Sequence, residues 1–405
     1  MSRKRILISQ GNLKYQLIAL LLFLFCNLQA QEVDYHWFNE GVEQKNRGEY
    51  DRAIQSFSHF LSNYPVEYPE AYYHRGYLYF LQKQYQSAIP DFEQLYALDE
   101  KSVHAVFGLG QAHFLSFRFQ KAIDYFTEAI RIQPNYAAAY NERGMVLCRM
   151  RRFDLALEDF YRATSLDTTF AMAYNNTGVA RYFNQDIAKP TQKDLHLAHQ
   201  WFSKAIVQDP TLGLAYRNRA AMNIFLKNYA AALQDLKKAE KLSPEDAMVF
   251  FYLGVVHADQ QNAGPAIAAF EKATTINPQL PFAYEEMGNL YKAQTQFALA
   301  IQQYRLAQKV RKSSSPLYRG LMDYRKALVF AEQESSDQMY AALKAAKKAK
   351  VFSDRRVYRD FLAAKEFKTF RREKPFRRFT KSIRKGKKDN KFLHPDLGWF
   401  RMRKE

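Results

Sequence analysis

The chain has 405 residues, 60 Lys and Arg against 41 Asp and Glu, and a formal net charge of +19. Its 47% hydrophobic and 15% aromatic content excludes wholesale disorder, because that much apolar surface can offset the entropy of ordering. Two cysteines exclude a disulfide framework as the source of stability.

The chain starts with Arg3, Lys4, Arg5 and Lys14 around an unbroken apolar run, Leu17 to Cys26, and a small residue at Ala30. A basic start, an apolar stretch and a small residue predict a secretory signal over 1–30 with cleavage after Ala30, and hence an exported, periplasmic or secreted protein. The run is ten residues long, short of the roughly 20 a membrane span needs. Phe25 before Cys26 argues against a lipid anchor. Export would leave Cys148 alone, between apolar neighbours Val146 and Leu147, so a buried and inert thiol is expected.

From residue 34 onward the sequence repeats. Small residues recur at Gly41, Gly76, Gly110, Gly144, Gly178, Ala220, Gly254 and Gly288, at steps of 34 or 35 broken once by 42. A second series follows twelve residues behind, at Ala53, Ala88, Ala122, Ala156, Ala198, Ala232, Ala266 and Ala300. In the fifth unit the offset is twenty, so one eight-residue insertion, 184–191, accounts for both irregular steps. Aromatics such as Tyr72, Tyr140 and Tyr174 stand four residues before the first marker, and Phe57, Phe92, Phe126 and Phe160 four after the second. A spacing of four keeps both on one helix face, so each unit reads as two amphipathic helices with small residues where the pair approaches most closely. Pro65, Pro134, Pro210, Pro244 and Pro278 stop second helices; Glu100, Thr168 and Lys312 stand there in the second, fourth and eighth units.

This pattern resembles the tetratricopeptide repeat. The resemblance spans eight units: 34–66, 69–102, 103–136, 137–170, 171–212 with the insertion, 213–246, 247–280 and 281–314. It implies an all-α fold, a right-handed α-solenoid of helical hairpins with a concave side. Residues 315–350 keep helical spacing without the small-residue register and read as atypical capping helices. In this family the first helix of each hairpin lines the inner groove. Here that face carries Tyr35, Phe38, Tyr73, Tyr77, Phe80, Phe107 and Phe114, then Asn141, Asn175, Tyr182, Arg217, Phe251 and Glu285. The rings would hold apolar side chains of a protein or peptide partner, and Asn141, Asn175 and Arg217 its main chain or a carboxylate. The competing expectation is that the rings pack between hairpins as core. Chaperone-binding members hold a terminal carboxylate with lysine and asparagine, whereas the first unit here has Phe38 and Val42, so that activity is not implied.

The charge is concentrated at the end. Residues 344–405 hold 23 basic and 7 acidic residues, while 31–343 hold 33 and 34. Val357 to Phe370 has the spacing of a short amphipathic helix ended at Lys374-Pro375. Over the tail, 351–405, Arg371, Arg372, Arg377, Arg378, Lys381, Arg384, Lys385, Lys387 and Lys388 alternate with Phe376, Phe379 and Phe392. Cations with interleaved rings suit anionic lipid or glycan, and export would keep nucleic acid away. A solvated tail is the plain alternative.

Chemistry is not expected. The chain has no phosphate-binding glycine loop, HExxH or paired CxxC, and so no cofactor or small-molecule substrate is implied. His196 and His199 beside Asp194 lack a further placed ligand for a metal. Asn175-Asn176-Thr177 has the glycosylation spacing but lies mid-helix. The expectation is a non-enzymatic interaction scaffold of the cell envelope, the alternative an anionic-surface protein acting through its tail.

Overall fold

The computed structural model describes residues 33–65, 68–184, 191–310 and 315–383. The signal segment, residues 185–190 of the insertion with Lys189-Pro190, the tail cations Arg384, Lys385, Lys387 and Lys388, and Phe392 lie outside them. Among the described residues there are twenty α-helices and three 3-10 turns, and no strand. No helix there is long and apolar enough to cross a membrane.

The chain forms two compact units, dividing between Ile132 and Gln133. The first holds α1 (His36–Asn46), α2 (Tyr50–Asn63), α3 (Pro69–Leu81), α4 (Tyr85–Leu98), α5 (Val103–Leu115) and α6 (Phe119–Ile132). The second holds α7 (Ala137–Arg149), α8 (Phe153–Leu166), α9 (Ala171–Phe183), α10 (Gln192–Gln208), α11 (Gly213–Phe225), α12 (Tyr229–Leu242), α13 (Ala247–Asp259) and α14 (Ala263–Ile276). It continues with α15 (Pro281–Ala293), α16 (Phe297–Val310), α17 (Pro316–Glu332), α18 (Ser336–Lys348), α19 (Arg355–Ala363) and α20 (Lys374–Ser382). Up to α18, helices pair as hairpins, and within each unit the second helix of one hairpin packs on the first helix of the next.

The glycines of the first small-residue series meet aromatic rings, and the alanines of the second are fully buried. A Cβ added at Gly110 would lie 2.6 Å from the Phe126 ring, at Gly144 2.7 Å from Phe160, and at Gly254 2.5 Å from Phe270. Real side chains do not approach that closely, so each first helix is locked onto its partner by a ring seated on a bare backbone. In the unit where the marker is Ala220, the facing residue is Leu236 instead of a ring, and both are fully buried. The extra methyl and the smaller partner compensate. The second and fourth units, without a terminal proline, turn by a side-chain device also found at Pro210 and Pro278: Asp99 accepts from the Lys101 N–H (3.0 Å) and Asp167 from Thr169 (2.9 Å), as Asp209 does from Thr211 and Asn277 from Gln279. Such side-chain turns satisfy the backbone where the helix stops.

The insertion ends at Thr191, which caps α10 in a reciprocal box with Asp194. Asp194 is thus engaged at a helix start, and the His196 ring lies 2.7 Å from the Gln192 carbonyl of its own helix. Beyond α18 the structure departs from the expected tail. The predicted helix over 357–370 ends at Ala363, and Pro375 opens α20 instead of closing a helix. Proline is tolerated in a first turn, where its missing N–H has no helical partner. Phe361, Phe367, Phe370 and Phe376 are buried with Tyr324 and Phe352 of the last hairpin and its following turn. Residues 351–383 are therefore a folded cap, built by the rings that alternate with the cations.

Candidate partner-binding face

In the first unit the first-helix face is aromatic and partly open. Tyr35 is 46% exposed and Tyr77 40%. Tyr73 stacks on Tyr77 with centroids 6.1 Å apart and planes 11° from parallel, and meets His104 at 5.9 Å. Phe80 packs on Tyr85 (5.4 Å) and Phe114 on Phe119 (6.1 Å), each half-buried at the turn of its own hairpin. Phe107 reaches inward to the core ring Phe126 at 5.6 Å. Position therefore sorts the predicted rings: Tyr35 and Tyr77 present faces to solvent, while Phe107 divides its surface between core and outside. Tyr182 and Phe251, in the second unit, are core.

The polar residues assigned to the same register behave differently. Asn141, Asn175 and Arg217 are buried, with 2%, 0% and 3% exposure, and bond to one another's neighbours along the second unit. Asn176 donates to Asn141 (3.0 Å), Asn175 to Asn176 (3.3 Å), and Asn218 to Asn175 (2.9 Å). Arg217 donates to Asn218 (3.2 Å) and, through Nη1, to Asp246 (2.5 Å). Asp246 also caps α13 by accepting from the Met248 N–H. The ladder crosses α7, α9, α11 and the start of α13. The expectation that Asn141, Asn175 and Arg217 meet a partner's main chain gives way here: their hydrogen-bonding capacity is spent between adjacent first helices, where an unmet buried amide would be costly. Glu285 is likewise buried and accepts from the Tyr318 hydroxyl (3.1 Å).

A further recurrence escaped the reading of spacing. Arg75, Arg143 and Arg219, one residue before the marker in alternate units, each grip an aspartate sixteen residues on: Asp91, Asp159 and Asp235. Each uses Nε and Nη2 on the two carboxylate oxygens at 2.6–2.9 Å. Each guanidinium also lies within 5.8 Å of the tyrosine three residues earlier. Burial pushes the Asp91 and Asp159 carboxyls up even though the arginine beside each pulls them down. The pairs clamp the two helices of one hairpin, and the Arg-to-Asp spacing was there to be found.

The other missed residue is Phe117, 77% exposed at the tip of the third hairpin with φ of 60°. The equivalent turn residue is Gly48 in the first hairpin and a polar residue in the others described, such as Lys83, Arg151, Lys227, Gln261 and Thr295. Left-handed backbone costs an L residue about 1 kcal/mol. A bare phenylalanine there adds a solvation penalty that its neighbours avoid.

Elsewhere on the chain, burial pushes the Cys148 thiol well above its ordinary range. His113, buried against Tyr125 in a parallel stack at 5.3 Å, is held below the usual imidazole value by desolvation, then by Lys121 and Arg118. Of the predicted tail cations, Arg371, Arg372, Arg377, Arg378 and Lys381 are exposed.

The family model described as tetratricopeptide repeat matches residues 38–102, 82–137, 118–169 and 225–281. Those residues are tetratricopeptide repeats. Similar curated proteins are tetratricopeptide repeat protein 6 of Homo sapiens, 35% identical over 99 residues, and the Hsp70-Hsp90 organizing protein of Triticum aestivum, 35% identical over 77. The matches cover 24% and 19% of this chain but only 19% and 13% of those relatives, so they are likenesses of repeats and not of whole proteins. A tetratricopeptide repeat protein from Parabacteroides merdae superposes with a TM-score of 0.51 at 15% identity, covering 63% of this chain and 96% of its own. At that identity the likeness is one of fold. The fold is an all-α α-solenoid of tetratricopeptide hairpins, a type generally used as a scaffold that binds proteins.

Proposed function

We propose that this chain is a non-enzymatic scaffold of the cell envelope that binds an extended or helical segment of another protein on the first-helix face of residues 33–132. The observation that carries the reading is the exposure of Tyr35 and Tyr77 among the rings of the first-helix face. Half-exposed rings on a rigid element bury apolar area on contact and lose little conformational entropy, which is why aromatics dominate binding energy at interfaces. The tetratricopeptide repeats support it, as does the wheat relative, whose name describes the organizing of two other proteins. The signal-like N-terminal sequence supports the envelope setting.

The test selects peptides from a random library on the full-length protein and measures their affinity by calorimetry. Selected peptides should be rich in apolar side chains and bind the variant carrying Tyr35→Ala and Tyr77→Ala at least tenfold more weakly, on the order of 1.4 kcal/mol. The variant should melt within about 2 °C of the parent. Unchanged affinity would remove this face from the account.

A further inference from the structure

The folded cap, residues 351–383, separates its charges. Each acidic side chain there has a partner within the second unit, with Asp354 buried, Glu366 half-buried, and Asp360 and Glu373 exposed. Asp354 is buried and accepts from the Val357 N–H (3.1 Å). Asp360 accepts from the Tyr324 hydroxyl (2.8 Å) and Glu373 from the Tyr340 hydroxyl (2.8 Å). Glu366 pairs with Lys292 of α15, which holds its carboxyl below the usual value despite burial. From Arg359 to Lys381 every lysine and arginine is exposed. Nine exposed cations on this surface therefore stand against two exposed acids, Asp360 and Glu373, each already accepting from a tyrosine hydroxyl.

One part of that surface is not merely cationic. Between α19, the turn Phe370–Arg372 and α20 lies a cleft of about 340 Å³. Its floor is Phe361 and Phe376, stacked at 5.6 Å, and its rim is Arg371, Arg377 and Lys381. Arg371 is fixed in place by donating to the carbonyls of Leu362 (2.9 Å) and Ala364 (3.0 Å), which caps the end of α19. Leu362, at the cleft, is 45% exposed. An acidic glycan or a nucleic acid would satisfy the cations and leave this leucine in water. A membrane surface satisfies both, because anionic headgroups meet the cations while the upper acyl region takes in the apolar side chains.

We infer that the C-terminal cap docks on anionic lipid, with Arg371, Arg377 and Lys381 around a headgroup and Leu362 entering the acyl boundary. This site is separate from the partner face of the first unit and does not depend on it.

The experiment is co-sedimentation of the full-length protein with vesicles of phosphatidylglycerol and phosphatidylcholine, against vesicles of phosphatidylcholine alone. Binding should require phosphatidylglycerol and weaken steeply as salt rises to about 0.5 M. Arg377→Gln with Lys381→Gln should lower it roughly thirtyfold, at ~1 kcal/mol per cation near an anionic surface. Leu362→Gln, which removes the apolar side chain without changing charge, should also lower it, with no change in heparin binding, which reports the cations alone. All these positions are exposed, and a circular dichroism melt confirms folding; the salt series on the parent protein stands even if a variant fails. Equal binding to both vesicle types, or salt-insensitive binding, overturns the inference. So does binding unaffected by all three substitutions, or a Leu362→Gln variant that keeps full vesicle affinity. Heparin or a DNA duplex held tighter than the vesicles would mark a general polyanion surface instead.

Discussion

The two units build their first helices from the same repeat yet use the face differently. In the first unit the first-helix face carries rings, and Tyr35 and Tyr77 remain partly in solvent. In the second, the buried Asn141, Asn176, Asn175, Asn218 and Arg217, with the partly buried Asp246, link four consecutive hairpins by side-chain hydrogen bonds. Apolar contacts are tolerant of displacement, whereas a chain of amides has one register in which every donor is met. The first region is suited to receiving something from outside, and the second to holding its own spacing.

That contrast can be broken from either side. The largest effect is expected from Arg217→Ala, which strands the Asn218 oxygen and the partly buried Asp246 carboxylate. It should lower stability of the second unit by about 2–4 kcal/mol in chemical denaturation, while peptide affinity of the first unit is unchanged. Gly254→Ala forces a methyl against the Phe270 ring and should cost about 1–3 kcal/mol, but paired with Phe270→Leu, which reproduces the Ala220–Leu236 combination, much of the loss should return. Acid should act on the first unit through His113. Its folded-state pKa is depressed, so the unfolded chain takes up the proton first; stability is complete above the unfolded value of about 6.5 and falls as pH drops below it. Denaturation at pH 7.5 and 5.5 should show the loss, and His113→Gln should reduce its pH dependence. The smallest effect is a gain: Phe117→Gly relieves the left-handed backbone and should leave the protein as stable or stabilise it by up to about 1 kcal/mol in the same assay.

Much of the hairpin architecture was legible because it is local. A ring and a small residue at fixed spacing put two helices in contact within forty residues, and the period repeats the message eight times. The ladder was not legible for a physical reason. Register assigns Asn175 to a face of its helix, but whether that face is open depends on the residue one further along the next hairpin, Asn218, and on how closely the axes approach. Nothing about an asparagine in isolation tells a groove from a seam. The cap shows the same limit at longer range. The charge run was plain in the sequence, but the pairing of Glu366 with Lys292 joins residues 74 apart, and only the fold brings them together. Phe117 could have been seen, since the same turn position is Gly48 or polar in the neighbouring hairpins.

The most direct test is hydroxyl-radical footprinting of the full-length protein, with and without a selected peptide. The account predicts rapid labelling of Tyr35 and Tyr77 in the free protein, strong protection of both by the peptide, and little labelling of Tyr182 and Tyr252 in either state. Peptide protection confined to residues of the second unit, with Tyr35 and Tyr77 labelled as before, would contradict it.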